Sequence, residues 1–195
     1  MPRHRTAVEL DKPRARDLMI LAGDHGTAVS VIVRAMISHY LALPDGEARD
    51  DADAALSAAA AAEHERRGAV AAKGIHGREV EPEQAPDRRR IGLVLVPGMT
   101  DDMKDRSGTS AAVAMRALIS HDLDLIAGEE SPAQAALIEA LDAASAAESA
   151  RRGEVGRRVM TRRHAAEQPH READDTASAD NTDTQQDTEG DESRE

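Results

Sequence analysis

A stretch of fourteen residues occurs twice in this chain, with the two copies 82 positions apart. Gly26–His39 and Gly108–His121 agree at eight of those fourteen positions. A shorter repeat follows each copy, in which Arg66-Arg67-Gly68 recurs 85 positions later as Arg151-Arg152-Gly153. A repeat of this kind fixes the structural unit of a fold. We therefore expect two copies of one small unit that are able to pair with each other.

Composition restricts what these units are built from. The 195 residues suffice for one or two small domains and a tail. Hydrophobic residues make up 40% of the chain but aromatic residues only 1%, with Tyr40 the single tyrosine and no Phe or Trp. A core of aliphatic side chains favours close-packed helices over a large enzyme cleft. The absence of cysteine excludes disulfides, thiolate metal sites and cysteine nucleophiles.

Apolar runs in this chain are short. No stretch of about 18 apolar residues occurs, so we expect no membrane span. Arg3 and Arg5 are not followed by an apolar segment of the kind found in signal peptides. We therefore expect a soluble, cytoplasmic protein.

The net charge of −12 is unevenly distributed. Residues 167–195 hold eleven acidic residues and two arginines, a local charge of −9, so the remainder carries −3. Residues 1–16 contain five basic and two acidic residues, and residues 151–164 contain six arginines against one glutamate. The acidic total therefore weighs only weakly against a nucleic-acid partner.

Each copy of the repeat predicts a strand, a short helix, a glycine turn and an amphipathic helix. In the first copy these are a strand over 3–10, a helix over 12–22, a turn at Gly23 and Gly26, and a helix capped by Thr27 that ends near Leu43. In the second copy they are a strand over 91–96, a helix over 100–107, and a helix from Thr109 to about Ile126.

Ala-rich segments follow both copies. Residues 48–67 predict a helix with little to bury, which we expect to form a peripheral or mobile arm that stops at Gly68. Residues 131–152 predict another helix, which opens with a capping box at Ser131 and ends at Gly153. Residues 74–87 are expected to form a linker, and the acidic residues 165–195 a disordered tail.

Neither unit is expected to fold alone. A strand and two helices of roughly 40 residues bury too little surface for a stable core, and a single strand leaves its backbone groups unpaired. Both deficits disappear if the two strands pair antiparallel and the helices pack beneath them. The sequence alone leaves open whether this pairing occurs within one chain or between two.

Particular residues carry a resemblance to a known family. In the first copy they are Val8-Glu9-Leu10-Asp11 at the strand end, Leu18, Leu21 and Ala22 in the first helix, and Gly26-Thr27, Ile32-Val33-Arg34 and Met36-Ile37 in the turn and second helix. The second copy matches in its turn and second helix, but its first helix is about one turn short. Over roughly 3–43 and 88–126 the chain resembles the ribbon-helix-helix DNA-binding proteins. The resemblance implies a mainly α fold of tandem ribbon-helix-helix units with an intramolecular two-stranded antiparallel ribbon.

The resemblance also implies that the ribbon enters the major groove of double-stranded DNA, where base edges are distinguishable. The DNA-binding residues on its outer face would be Arg3, Arg5, Ala7 and Glu9 from the first strand, with Arg88 and Arg90 from the second. Two registers are open for the second strand. In one, Ile91, Leu93 and Leu95 point inward, which leaves Gly92 and Val94 outward; in the other, Val94 and Val96 point inward. We prefer the first register because it buries more apolar surface.

Members of this family also bind phosphates at the start of the second helix, where free N–H groups meet an anion. The corresponding positions here are Thr27-Ala28 and Thr109-Ser110. The arginines of 151–163 would add nonspecific contacts to the DNA backbone.

Other recurrent residues have simpler interpretations. For Arg34 and Arg116 we favour a solvated or salt-bridged helix face over a DNA contact. For His39 and His121 we favour a surface or half-buried role, because no second metal ligand follows at i+4. Known catalytic and phosphate-loop motifs are absent, so we expect neither an enzyme nor a metal or other cofactor.

Two functions remain open. The first is a sequence-specific DNA-binding protein, either a transcriptional regulator or a plasmid accessory factor. The second is an antitoxin-like protein-interaction module whose ribbon does not read DNA, which Glu9, Gly92 and the acidic balance favour. The Ala-rich helices and the tail would serve self-association or protein partners.

The expected organisation is repeat units at 1–46 and 88–128, an Ala-rich arm at 47–73, a linker at 74–87, a helix with a basic end at 129–164, and a tail at 165–195.

Overall fold

The computed structural model describes residues 4–75 and 87–179, with side chains described for 5–71 and 87–162. Within these ranges the chain is mainly helical, with one small antiparallel sheet. The elements in order are β1 (His4–Asp11), α1 (Lys12–Asp24), α2 (Val29–Ala42), α3 (Glu47–Ile75), β2 (Arg88–Leu95), α4 (Met99–Ser107), α5 (Ala111–Ala127) and α6 (Pro132–Ala179).

The chain divides into two compact units, Met1–Ser149 and Ala150–Glu195. The first contains both strands and the hydrophobic core. The second, in its described part, consists of the C-terminal stretch of α6.

The order of strand, two helices and a long helix occurs twice in the described chain. Gly26 and Gly108 occupy equivalent turns and have φ values of +59° and +62°. This left-handed backbone favours glycine, which explains why both copies retain the residue. The first helix differs, since α1 has 13 residues and α4 only 9. The predicted shortening of the second copy is confirmed.

The two strands pair with each other, antiparallel and within one chain. The ladder runs from His4 opposite Leu95 to Asp11 opposite Arg88. The Lys12 N–H extends it by donating to the Asp87 carbonyl at 3.1 Å. The preferred register of β2 is also confirmed, because Ile91, Leu93 and Leu95 are the buried side chains of that strand.

We call the two-stranded sheet of β1 and β2 the ribbon. Its inner face covers a core formed by helix side chains. Val8 and Leu10 are fully buried there, and each contributes about 1.5–3 kcal/mol by leaving water. The helices supply fully buried aliphatic and Met side chains, namely Leu18, Ile32, Met36, Ile37, Leu56, Met103, Met115, Leu118 and Ile119. Removing either strand would expose this shared core.

The starts of the helices correct two of the predictions. The α1 cap is as expected for a polar N-cap, because the Asp11 carboxylate accepts the Arg14 N–H at 2.9 Å. Thr27 is not the α2 cap: its N–H donates to the Ala22 carbonyl at 2.9 Å to close α1, and Ala28 takes the cap position. Ser110, rather than Thr109, caps α5, with its hydroxyl accepting the Val113 N–H.

The long helices α3 and α6 differ from three further predictions, which concern the helix ends at glycine, the Ala-rich arm and the acidic tail. Gly68 and Gly153 do not end their helices, since α3 continues to Ile75 and α6 to Ala179. An interior glycine costs about 1 kcal/mol, which the surrounding Ala, Arg and Glu residues offset. The arm is not wholly peripheral, because Ala52 and Leu56 are buried. The predicted disordered tail is not confirmed: residues 165–179 belong to α6, and 180–195 lie outside the described residues.

Residues 4–75 and 87–179 contain no single helix with the length and apolarity needed to cross a membrane. The bent pair of α1 and α2 meets those criteria only when the two helices are taken together. Many of their apolar residues lie in the core.

The single tyrosine joins three helices. The Tyr40 hydroxyl of α2 donates to the Asp53 carboxylate of α3 at 2.6 Å. The Arg106 guanidinium of α4 lies 4.9 Å from the Tyr40 ring centroid and donates to the Leu41 carbonyl at 2.9 Å. Burial, followed by the hydrogen bond to Asp53, raises the pKa of Tyr40 to about 12.

Titration of Tyr40 tests this packing. Because the fold keeps the phenol neutral above its ordinary pKa of 10.0, the free energy of unfolding should decrease as pH rises from 10 to about 12. Absorbance at the phenolate band reports this residue alone, since the chain has no other tyrosine and no tryptophan. We expect a midpoint near pH 12 in the folded protein, a lower one in Asp53→Asn, and one near 10 in urea. A midpoint near 10 in the folded wild type would contradict the buried hydrogen bond.

Candidate nucleic-acid interface

The outer face of the ribbon gathers the strand residues predicted to bind DNA. Facing pairs on this side are Arg5 with Val94, Ala7 with Gly92, Glu9 with Arg90, and Asp11 with Arg88. The arginines and Glu9 are exposed, and Ala7 and Val94 are half-buried. Arg3 lies outside the described residues.

This outer face has an approximate two-fold centre at the Ala7–Gly92 pair. A shift of 85 positions relates Arg5 to Arg90 and also relates the buried Val8 and Leu10 to Leu93 and Leu95. Arg5 and Arg90 therefore lie on opposite sides of the centre, about 13 Å apart along the ribbon at roughly 3.3 Å per residue. The same spacing of 85 separates the two Arg-Arg-Gly sequences, which lie in α3 and α6. The repeat therefore includes these two long helices.

The centre of the outer face carries almost no side-chain bulk. Ala7 has only a methyl group, and a Cβ added at Gly92 would meet no atom within 4 Å. The backbone is therefore open to close approach by another molecule, with an arginine on each side. The alternation of inward and outward side chains along each strand predicted which residues lie on the outer face. Which of them face each other across the centre depends on the register of the two strands.

The charge of the outer face is modest. Arg5, Arg88 and Arg90 contribute +3 and Glu9 and Asp11 contribute −2, which leaves +1. Asp11 is also engaged as the α1 cap. The positive charge is consequently carried by individually placed arginines rather than by a broad basic surface.

The predicted phosphate sites at the helix starts are not equivalent. At α2 the cap residue Ala28 provides no side-chain hydrogen bond, and the Thr27 hydroxyl is buried without a hydrogen-bond partner among the described residues. At α5 Ser110 already accepts a helix N–H, and the Thr109 N–H donates to the Ser107 hydroxyl at 3.4 Å. The Val31 N–H nevertheless donates to the Ala28 carbonyl at 2.8 Å, as the Val113 N–H does to the Ser110 carbonyl at 2.9 Å, so the two starts differ in their side-chain cap.

Arg116 is fixed to the ribbon. Its Nε donates to the Glu9 carbonyl of β1 at 2.9 Å, so α5 holds the backbone of the outer-face strand. The expected helix-face role is consistent with this contact: the side chain is half-exposed, and its partner is a neutral carbonyl rather than a carboxylate. Arg34, its counterpart in the repeat, is half-buried on α2. Recurrence in both copies was the sequence signal, but it does not identify the partner.

The repeated histidines line one small cavity of about 30 Å³ together with Asp122. Asp122 is 3% exposed, with Oδ1 at 3.0 Å from His121 Nδ1 and Oδ2 unpartnered among the described residues. The hydrogen bond to Asp122 raises the pKa of His121, and burial raises the pKa of Asp122. Sequence reasoning missed Asp122, which occupies the repeat position of Tyr40. Within the described ranges, no group of three or more His, Asp or Glu side chains forms a metal site.

The arginines predicted to contact the DNA backbone lie on the C-terminal part of α6. Their described side chains are exposed, as are Val155, Val159 and Met160. Arg158 pairs with Glu154 one turn away. The side chain of Arg163 lies outside the described residues.

Comparison with known proteins identifies no relative: no family model matches the chain, and no curated protein or solved structure is significantly similar to it.

Proposed function

We propose that this protein binds double-stranded DNA sequence-specifically, as tandem ribbon-helix-helix units whose ribbon enters the major groove. The observation that carries the proposal is the intrachain pairing of β1 with β2, which brings Arg5 and Arg90 to one open face. A regulator of transcription or a plasmid accessory factor would use such a face.

Dimensions support this use of the ribbon. Strands about 4.8 Å apart form a body that enters a major groove about 12 Å wide. The separation of roughly 13 Å between Arg5 and Arg90 corresponds to about four base pairs at 3.4 Å each. Ala7 and Gly92 allow the backbone between the arginines to approach the base edges.

Each outer-face residue has a distinct role in this proposal. Arg5 and Arg90 donate two hydrogen bonds each to a guanine edge. Glu9 accepts from a cytosine amine, whereas its repeat counterpart Val94 contacts a thymine methyl group. The bound site should therefore be an imperfect inverted repeat, with its asymmetry set by Glu9 and Val94.

Phosphate contacts position the ribbon in this arrangement. Arg88, the first residue of β2, would contact the DNA backbone, as would Arg3, its counterpart 85 positions earlier in the sequence. The starts of α2 and α5, at Thr27-Ala28 and Thr109-Ser110, add helix N–H donors.

A protein-interaction module is the second candidate, and the carboxylates of the outer face favour it. Glu9 opposes Arg90 and Asp11 opposes Arg88, which leaves a net charge of only +1. Such a face would suit a partner protein whose residues match the alternating charges. Absence of DNA binding by the full chain even at low salt would favour this candidate over the first.

Adjacent arginines provide a matched test of DNA reading. Arg90 is on the outer face, whereas Arg89 lies opposite Leu10 on the other face. On duplexes enriched from a random pool, Arg5→Ala with Arg90→Ala should lower the affinity by at least about tenfold, since each bidentate guanine contact is worth about 1–3 kcal/mol. Arg89→Ala removes the same charge as Arg90→Ala alone, and should have a much smaller effect than either that single substitution or the double variant. Fluorescence anisotropy across a salt series measures both, and equal losses would contradict the proposed reading face.

Substitution at the centre separates folding from binding. Gly92 has room for a side chain and no positive φ, so Gly92→Ile should preserve or slightly raise the melting temperature. The same substitution should lower DNA affinity by at least about tenfold, because the added bulk holds the ribbon away from the bases. A thermal melt and a DNA titration on one preparation measure the two effects. Unchanged affinity would mean that the ribbon centre does not approach DNA.

A further inference from the structure

A groove of about 600 Å³ opens between α3 and α5 beside the start of β2. Its walls are mainly apolar and come from Ala55, Ala59 and Ala62 on α3 and from Val113 and Ala117 on α5. The short alanine side chains leave space that larger residues would fill. A cavity of this volume matches those that hold small organic ligands, which are about 300–1,000 Å³.

Charged residues surround this groove, but their charges are unequally compensated. Glu63 pairs with Arg66 and Arg67, and Asp124 pairs with Arg14. Two other guanidiniums, those of Arg88 and Arg116, also line the groove. Within the described part of the chain neither forms an ion pair: Arg116 donates to the Glu9 carbonyl, and Asp11, which faces Arg88 across the ribbon, is engaged as the α1 cap. The groove therefore presents two guanidinium groups that are not ion-paired.

We propose that this groove binds a small amphipathic anion, a carboxylate, sulfonate or phosphate attached to an apolar body. The anionic group lies against Arg88 and Arg116, where a guanidinium can donate two hydrogen bonds to two oxygens of the same anion. The apolar body lies along the alanines of α3. Ser120 and His121, which also line the groove, provide further polar contacts.

Binding in this groove would act directly on the ribbon, a consequence that rests on the proposed function. Arg88 belongs to the outer-face arginines, and Arg116 holds the β1 backbone at Glu9. An anion on these two side chains competes with DNA phosphate for Arg88. The ligand would therefore weaken DNA binding.

Two fluorescent probes with the same aromatic body test the charge requirement. The anionic probe is 8-anilinonaphthalene-1-sulfonate, and the uncharged one is N-phenyl-1-naphthylamine. Titration of the folded full chain without DNA should show one site for the sulfonate, with affinity at least tenfold above that of the amine. Equal affinities, or no saturable sulfonate binding, would overturn the proposal.

Three variants locate the site. Arg88→Gln with Arg116→Gln should lower sulfonate affinity at least tenfold, whereas Arg34→Gln, the repeat counterpart of Arg116, should change it less than twofold. Ala59→Leu fills the groove without altering charge and should weaken both probes. Circular dichroism checks folding, and Ala59→Leu decides the outcome if the double variant does not fold. Equal effects of Arg34→Gln and the double variant, or no effect of Ala59→Leu, would contradict the assignment.

Failure of DNA binding and failure of ligand binding are distinguishable in these experiments. The probe titrations contain no DNA, so a chain that binds the sulfonate but no duplex keeps the groove assignment and loses the proposed function. If both bind, saturating sulfonate should lower DNA affinity at least threefold in the wild type but not in Ala59→Leu. Unchanged DNA affinity in the wild type would overturn the competition for Arg88.

Discussion

The structure depends on backbone hydrogen bonding between two strands that are far apart in sequence. His4–Asp11 and Arg88–Leu95 form the two-stranded sheet, and each provides the other's ladder partner. Unpaired backbone groups at a buried face are costly, so pairing and core formation occur together. The inner face closes the core with Val8 and Leu10, and the same alternation places Arg5 and Arg90 outside. Packing and the proposed recognition therefore follow from one register.

Departures from the internal repeat indicate where the two halves have become different. Tyr40 and Asp122 occupy equivalent positions, yet one donates a hydrogen bond to Asp53 and the other is a buried carboxylate beside His121. Glu9 and Val94 differ on the outer face in the same way. A chain that carries both halves is free to diverge at such positions, which two identical subunits are not. The asymmetry thus allows one face to recognise an asymmetric partner.

Much of the fold was predictable from the sequence because the repeat constrained it. The repeated block indicated two units, the unpaired strands indicated antiparallel pairing, and apolar alternation selected the register of Ile91, Leu93 and Leu95. Some helix ends were predictable from residue type, such as the start of α6 after Ser131, but others were not. Thr27 is used to close α1 instead of capping α2, and Gly68 and Gly153 are tolerated inside long helices. The Arg116 contact with Glu9 and the groove beside α3 depend on distant segments meeting, which local patterns do not report.

Disulfide formation across the ribbon tests the central claim most directly. The chain has no cysteine, so Ala7→Cys with Gly92→Cys introduces the only two thiols, at facing positions with Cα atoms about 4.5–5.5 Å apart. Mild oxidation of dilute protein should give an intrachain disulfide, seen as a reducible shift of the monomer in electrophoresis. Thr6→Cys with Gly92→Cys places the thiols on opposite faces and should not react. A disulfide that forms only between chains, or equally well in both pairs, would contradict intrachain pairing in this register.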